Sequence, residues 1–289
     1  MNAVEYAKPQ SIDDAIRALN NAPAGARVLA GGTDLLVQLR AGHVRPPVIV
    51  DLKGIAELRR IEVTATGFRI GAAVAGAELG EHAQFAAEWP GVTEAFHLIG
   101  STQIQGRATM GGNLCNASPA ADSVPALIAA GARCVIVGAS GTREVAVEEV
   151  VSGPGKTTLA KGEFISEFLI ARRQAHSGDA YLRFIPRTEM DIAVASAGVC
   201  LTLDDKGLCT AARVSLGAVA PTALLVADCA KALIGTSLDD AALAKLAAAA
   251  SAACAPINDK RGTIEFRTKV AGVLARRAAT IAAQRARGN

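Results

Sequence analysis

Apolar positions along the chain switch repeatedly between helical and strand spacing. In SIDDAIRALN (residues 11–20), Ile12, Ala15, Ile16 and Leu19 fall on one helical face, and Ser11 with Asp14 three residues on forms a capping-box pattern. ARVLAGG (26–32) then reads as a strand, and TDLLVQLRA (33–41) as a helix closed by Gly42. PPVIVDL (46–52) is a second strand. GFRIGAAV (67–74), which alternates Phe68, Ile70, Ala72 and Val74, is a third. Helices are expected within 76–87 and 90–99. The stretch 101–123 is long, polar and rich in small residues, with a loop expected over 109–122. DSVPALIAAG (122–131) predicts a helix and RCVIVG (133–138) a strand. REVAVEEV (143–150) predicts a strand running into a turn, GPGKTT (153–158) a loop, and EFISEFLI (163–170) a strand.

The polar stretch RRQAHSGDA (172–180) marks a boundary. Beyond it come three strand-like runs, AYLRFIP, AVASAGVCLTLD and CTAARVSLGAV, with DDKG (204–207) as the turn between the last two. Helices over 222–234, 239–254 and 263–285 fill the remainder. Strands followed by helices indicate an α+β C-terminal domain. The last helix carries Arg267, Lys269, Arg276, Arg277, Arg285 and Arg287, which read as a solvated face or a partner surface.

Composition narrows the chemistry. A chain of 289 residues, 51% hydrophobic and 20% charged, is expected to be a soluble protein of one or two domains. A net charge of +3 is too small to argue for nucleic acid or an anionic membrane. No run reaches membrane-spanning length and the N-terminus lacks an apolar signal core, so a cytoplasmic location is expected. The six cysteines (115, 134, 200, 209, 229, 254) form no CxxC pair and the four histidines are scattered. Reduced core thiols and no protein-ligated metal follow.

Two glycine stretches remain. In VLAGGTDLLVQ, Gly31-Gly32 lies between a strand and a helix. Bare backbone admits a ligand closely there, and the first helical amides have no intrahelical partners. Such a turn can hold a phosphate without Lys or Arg, with Thr33 offering a hydroxyl and Asp34 able to cap the helix. TMGGNLCNASPAAD (109–122) is a second loop of the kind, with Gly111-Gly112, then Asn113, which can donate and accept at once, and Asp122 opening the next helix. The pair can be two unrelated turns or the clasp of one dinucleotide pyrophosphate. No strand precedes a GxGxxG, and GPGKTT has Val150 where a P-loop needs glycine. GxSxG is absent as well.

AGGTDLL together with TMGGNLCNASPAADS resembles the FAD-binding medium subunit of molybdenum hydroxylases, the group of the carbon monoxide dehydrogenase medium chain and the xanthine dehydrogenase flavin domain. The similarity extends to EYAKPQSIDDAIRAL, GPGKTTLAKGEFISEFLI and NDKRGTIEFRTKVAGVLARRA, and so to essentially the whole chain. It implies an α+β protein with two domains. Residues 1–176 would form a vanillyl-alcohol-oxidase-type (PCMH-type) FAD-binding domain of two subdomains. Residues 177–289 would form a smaller domain with a three-stranded antiparallel sheet and a helical bundle.

By resemblance, backbone amides of Ala30, Gly31, Gly32, Thr33 and Asp34, and of Thr109, Met110, Gly111, Gly112 and Asn113, would wrap the FAD pyrophosphate. Asp122 would hold a ribityl or nearby hydroxyl. Ile99 takes the place of a bulky apolar residue near the flavin, and Arg183 stands where several members carry Lys close to the ring system. Cys115 reads as a packing residue. The chain would have no catalytic residue of its own, since the cofactor carries the electron chemistry. The resemblance implies a large molybdopterin-binding subunit and a small subunit with two [2Fe-2S] clusters as partners, assembled as a dimer of heterotrimers. It implies that electrons pass through the clusters to FAD and on to an external acceptor. The alternative is a stand-alone FAD-dependent oxidoreductase of the same superfold.

Overall fold

The structure, a computed structural model, describes residues 4–288. Met1 to Ala3 and Asn289, the outer ends of the two expected domains, lie outside the described residues. The first lobe holds β1 (Glu5–Ala7), α1 (Ile12–Asn21), β2 (Arg27–Leu29), α2 (Leu35–Arg40) and β3 (Val48–Asp51). β3 lies between β1 and β2 in a parallel sheet and is buried along its whole length, as a central parallel strand requires. Ser11 caps α1 by accepting from the Asp14 amide at 3.1 Å. The reciprocal half of the box differs from expectation, because the Asp14 carboxylate accepts from the Ser11 hydroxyl.

The second lobe begins with β4 (Ile61–Thr64) and β5 (Gly67–Gly71). Five helices follow: α3 (Gly76–Glu81), α4 (Ala83–Glu88), α5 (Pro90–His97), α6 (Thr102–Gln105) and α7 (Met110–Cys115). Then come α8 (Ser123–Ala129), β6 (Arg133–Gly138), β7 (Gly141–Ala146), the hairpin β8 (Val151–Gly153) and β9 (Lys156–Thr157), and β10 (Phe164–Ala171). The main sheet is antiparallel in the order β4-β5-β10-β6-β7. One face of β5 and β10 packs Phe68, Ile70, Phe168 and Ile170 into the core under the helices. The expected loop at 109–122 is corrected here, since it contains the short helix α7, and α6 lies just before it.

β11 (Ser177–Phe184), β12 (Ala195–Leu203), β13 (Cys209–Gly217) and β14 (Leu224–Leu225) form the C-terminal antiparallel sheet. The three expected strands are present, and the two-residue β14 adds a fourth. α9 (Ala227–Leu233) therefore starts later than the expected 222. α10 (Asp240–Ala252) and α11 (Ile264–Gly288) complete the chain. α11 lies on the sheet through Ala271, Ala275, Ala278, Ala282 and Ala286, all fully buried. Such small residues let helix and sheet backbones meet, and a Cβ on Gly178 would overlap the Ala282 carbonyl oxygen.

The two domains are fastened without a linker. A Cβ at Gly198 would stand 2.6 Å from the Pro125 carbonyl oxygen, so β12 rides directly on α8. Buried Asp179 on β11 pairs with Arg173 and accepts from the Val92 amide of α5 at 3.2 Å. All six cysteines are unpaired. Among the described residues no helix is long and apolar enough to cross a membrane, and no cluster fits a metal ion.

The close seat of α11 makes a stability prediction. Gly178→Val should cost about 3 kcal/mol, the upper range for overpacking. Gly153→Ala, which meets nothing within 4 Å, should stay within about 0.5 kcal/mol of the parent. Urea denaturation midpoints of the two variants test the contrast, and equal midpoints would contradict the packing described.

Candidate functional site

A cavity of about 650 Å³ lies between the two lobes of the first domain, inside the range of about 300–1,000 Å³ usual for small-molecule sites. Its floor is the two glycine turns. β2 ends at Leu29 and the chain turns through Ala30, Gly31 and Gly32 into α2. Gly32 has φ +82°, which a side chain would oppose. Gly31 has another role. A Cβ there would overlap the Arg107 carbonyl oxygen and stand 2.8 Å from its carbon. The first turn thus lies flat on the backbone that leads into Thr109, and the two turns form one surface.

On the first turn, Leu36 donates to Gly32 O at 3.0 Å and Gln38 to Asp34 O at 2.9 Å, which starts α2. The amides of Gly32, Thr33, Asp34 and Leu35 donate to no protein acceptor. These are the free donors that an anion needs. Asp34 occupies the N-cap position but makes no capping bond, contrary to the role the sequence offered it.

The second turn is built differently. Thr109 caps α7, its Oγ1 accepting from the Gly112 amide at 3.0 Å and its carbonyl from the Asn113 amide at 2.9 Å. The Gly111 amide donates to Ala72 O at 3.1 Å, and a Cβ on Gly111 would press on that same oxygen at 2.8 Å. The amides of Gly111, Gly112 and Asn113, expected along a phosphate, are all engaged within the protein in this structure. What this turn offers is the Thr109 hydroxyl as donor, the bare Cα of Gly112 and the side-chain amide of Asn113. Asn113 Oδ1 is held by the Ser123 hydroxyl at 2.6 Å, while its Nδ2 donates to no protein acceptor. Gln38 on α2 reaches Asn116 beyond α7 at 3.1 Å and ties the two sides together.

Ala30, Gly31, Gly32, Thr33, Asp34, Ile99, Thr109, Gly111, Gly112 and Asn113 all line the cavity. Met110, Asp122 and Arg183 do not. Met110 is a core residue at 1% exposure. Asp122 spends both oxygens inside the protein, accepting from Tyr181 Oη at 2.9 Å and from Arg183 Nη1 at 2.6 Å. Arg183 therefore brings a neutralised charge rather than a free cation. Burial raises the Asp122 carboxyl to about 6 against the pull of Arg183 and Tyr181. Burial also pushes the Cys115 thiol, on the cavity wall, up to about 12, so it is no nucleophile at neutral pH.

Sequence reasoning missed part of the wall. The turn Pro23–Arg27 and the strap Thr157–Ile165 also line the cavity. Glu163 anchors the strap through a two-pronged bond to Arg143 (3.0 and 2.8 Å) and through the Ala160 amide at 2.8 Å. The sequence signals were the glycines at 25 and 162, both with positive φ, but nothing in their spacing brings the two segments together.

A split α+β domain with a cleft between its lobes, followed by a sheet-and-helix domain, is the architecture expected of a vanillyl-alcohol-oxidase-type FAD-binding protein. Comparisons with known proteins agree. Residues 2–171 match the FAD binding domain in molybdopterin dehydrogenase, and residues 180–282 the CO dehydrogenase flavoprotein C-terminal domain. The chain is 36% identical to the carbon monoxide dehydrogenase medium chain of Afipia carboxidovorans over 98% of both chains. It is 34% identical to the xanthine dehydrogenase FAD-binding subunit of Escherichia coli O157:H7, over 75% of this chain and 74% of that one. The structure of reconstituted CO dehydrogenase from Oligotropha carboxidovorans contains a chain that superimposes with a TM-score of 0.94 at 36% identity, covering 98% of this chain and 99% of that one. The chain belongs to the family of FAD-binding medium subunits of molybdenum hydroxylases, and is an oxidoreductase subunit.

The buried Asp122 gives a pH prediction. Its folded pKa lies above the ordinary carboxylate value of about 3.9. The folded protein therefore holds an extra proton between about pH 4 and 6, and the stability this proton confers is lost as pH rises through about 6. Carboxyl 13C NMR of the full chain should show one aspartate with a midpoint near 6. A midpoint near 4 for Asp122 would contradict the burial described.

Proposed function

We propose that this chain holds one FAD in the cavity between its lobes. It would receive electrons from two [2Fe-2S] clusters in a small partner chain and deliver them to an external acceptor. A large partner chain with a molybdopterin-type molybdenum cofactor would oxidise the substrate and choose it. When bound, FAD supplies the step between one-electron carriers and a two-electron acceptor. The three chains would work in the cytoplasm, where six unpaired thiols stay reduced, as a dimer of heterotrimers.

The fusion of the two glycine turns through Gly31 and the Arg107 carbonyl is the observation that supports this reading most directly. The residues present fit a dinucleotide. The amides of Gly32 to Leu35 and the Thr109 hydroxyl supply donors for a diphosphate, and Gly112 leaves room that a Cβ would fill. Ile99 and Cys115 present apolar wall to the cavity, and the 23–27 turn and the 157–165 strap line it as well. Asn113 and Asn116 offer side-chain amides along the cavity edge. Arg183 and Asp122 act through each other, and their paired charge would set the electrostatic background near the flavin end rather than bind the cofactor directly.

Gly112→Val tests the site. Its side chain would enter the cavity beside Thr109, and FAD content per chain should fall about tenfold or more, a loss of about 1.4 kcal/mol or more in binding. Far-UV circular dichroism and the denaturation midpoint report on the fold. A variant that keeps its full FAD content would overturn the site, and substrate turnover by the purified chain alone would favour a stand-alone flavoenzyme.

A further inference from the structure

Each lobe contributes one unmatched cation to the cavity. Arg27, at the start of β2, and Lys161, on the strap from the second lobe, both line it. Both are exposed, and neither side chain has a hydrogen bond or ion pair among the described residues. Glycines set their places. Gly25 (φ +91°) turns the chain into β2. Gly162 (φ +83°) sits on α1, where a Cβ would overlap Asn20 Oδ1, so the strap rests on the first lobe next to Lys161.

Most carboxylates around them are already paired. Glu163, on the same strap, holds Arg143 at 2.8 Å, and Asp51, opposite Leu29 of β2 in the sheet, holds Lys53 at 2.6 Å. Asp34 is different, because it lines the cavity and its side chain has no partner. The unmatched charges on the lining are therefore two cations and one anion.

The cations are not needed to hold a diphosphate, since the amides of Gly32 to Leu35 and the Thr109 hydroxyl already offer donors. They are well placed to act on its approach. An extended chain advances at most ~3.6 Å per residue, so the Arg27 backbone lies within about 14 Å of Gly31, four residues on. A charge at that range is felt at about 0.01 M salt, where the Debye length is ~30 Å, and is silent at about 1 M, where it is ~3 Å. Excess charge of one sign in a cleft with low-dielectric walls focuses the field and raises the arrival rate of the opposite charge about tenfold or more.

We propose that Arg27 and Lys161 capture the anionic diphosphate of FAD from solution and lead it to the first turn, and that Asp34 opposes them. This rests on the flavoprotein reading above. The two cations set the rate of arrival, and the amides with Thr109 set the final grip.

The test is stopped-flow flavin fluorescence on the full chain, stripped of FAD and mixed with fresh FAD. Arg27→Gln/Lys161→Gln should slow association about tenfold at about 0.01 M salt, with dissociation within about twofold of the parent. The gap should close at about 1 M salt. Asp34→Asn should move the other way and speed association about threefold at low salt. Lys269→Gln/Arg277→Gln on α11 removes the same net charge from two exposed, unpaired residues of the C-terminal domain. It should change association less than about twofold. Circular dichroism checks the fold, and none of the substituted side chains has a partner to lose. An unchanged association rate in Arg27→Gln/Lys161→Gln, a loss carried by dissociation instead, or a gap that persists at high salt would overturn the proposal. Slower association of Asp34→Asn, or equal slowing by the α11 variant, would overturn it too. A parent chain that takes up no FAD would sink the flavoprotein reading itself, whereas uptake by the parent at the variants' rate sinks the capture role alone.

Discussion

One contact between atoms of the backbone organises the site. Gly31 has no side chain, so the turn after β2 settles onto the Arg107 carbonyl and the chain entering Thr109. Any Cβ would separate the two segments and open the floor of the cavity. The same principle recurs one step further on, where Gly111 lies against Ala72 and takes its carbonyl as acceptor. The first glycine of each pair fixes protein to protein. The second, Gly32 or Gly112, shapes the surface that a ligand meets.

That division of labour sets what each turn can contribute. The first turn keeps free amides because α2 starts late and Asp34 does not cap it. The second turn consumes its amides in forming α7 and gives rigidity instead. A free donor set and a braced counterface suit an elongated diphosphate better than two identical turns would. The C-terminal domain sits apart from the cavity walls, yet it completes the first domain's core through Tyr181, whose hydroxyl reaches Asp122. Its sheet is held by α8 and α5, so the Asp122–Arg183 pair is fixed by the same packing that joins the domains.

Much of this was legible in the sequence. The period changes marked α1, β3, β5, β10 and the three long C-terminal strands, and the glycine pairs marked the cavity floor. α7 was not legible, because MGGNLC contains two glycines and an asparagine, all poor helix formers. It exists because Thr109 caps it and Ala72 receives its second amide, which are tertiary facts. β1, of three residues, gains its place only by pairing with β3, whose partner residues lie 43 positions on in the chain. The pairing of Asp122 with Arg183 was not legible for a related reason. Each looked available as a single residue, but the fold brings them together from positions 61 apart in sequence. The 23–27 and 157–165 segments of the cavity wall escaped notice because they share no motif and come to the cavity only through the fold.

A crystal structure of the full chain with FAD bound tests the central claim most directly. The account places the diphosphate against the amides of Gly32 to Leu35, with Thr109 and Gly112 on its other side. A diphosphate seated anywhere else, or a first turn lifted away from the Arg107 carbonyl in the bound form, would contradict it.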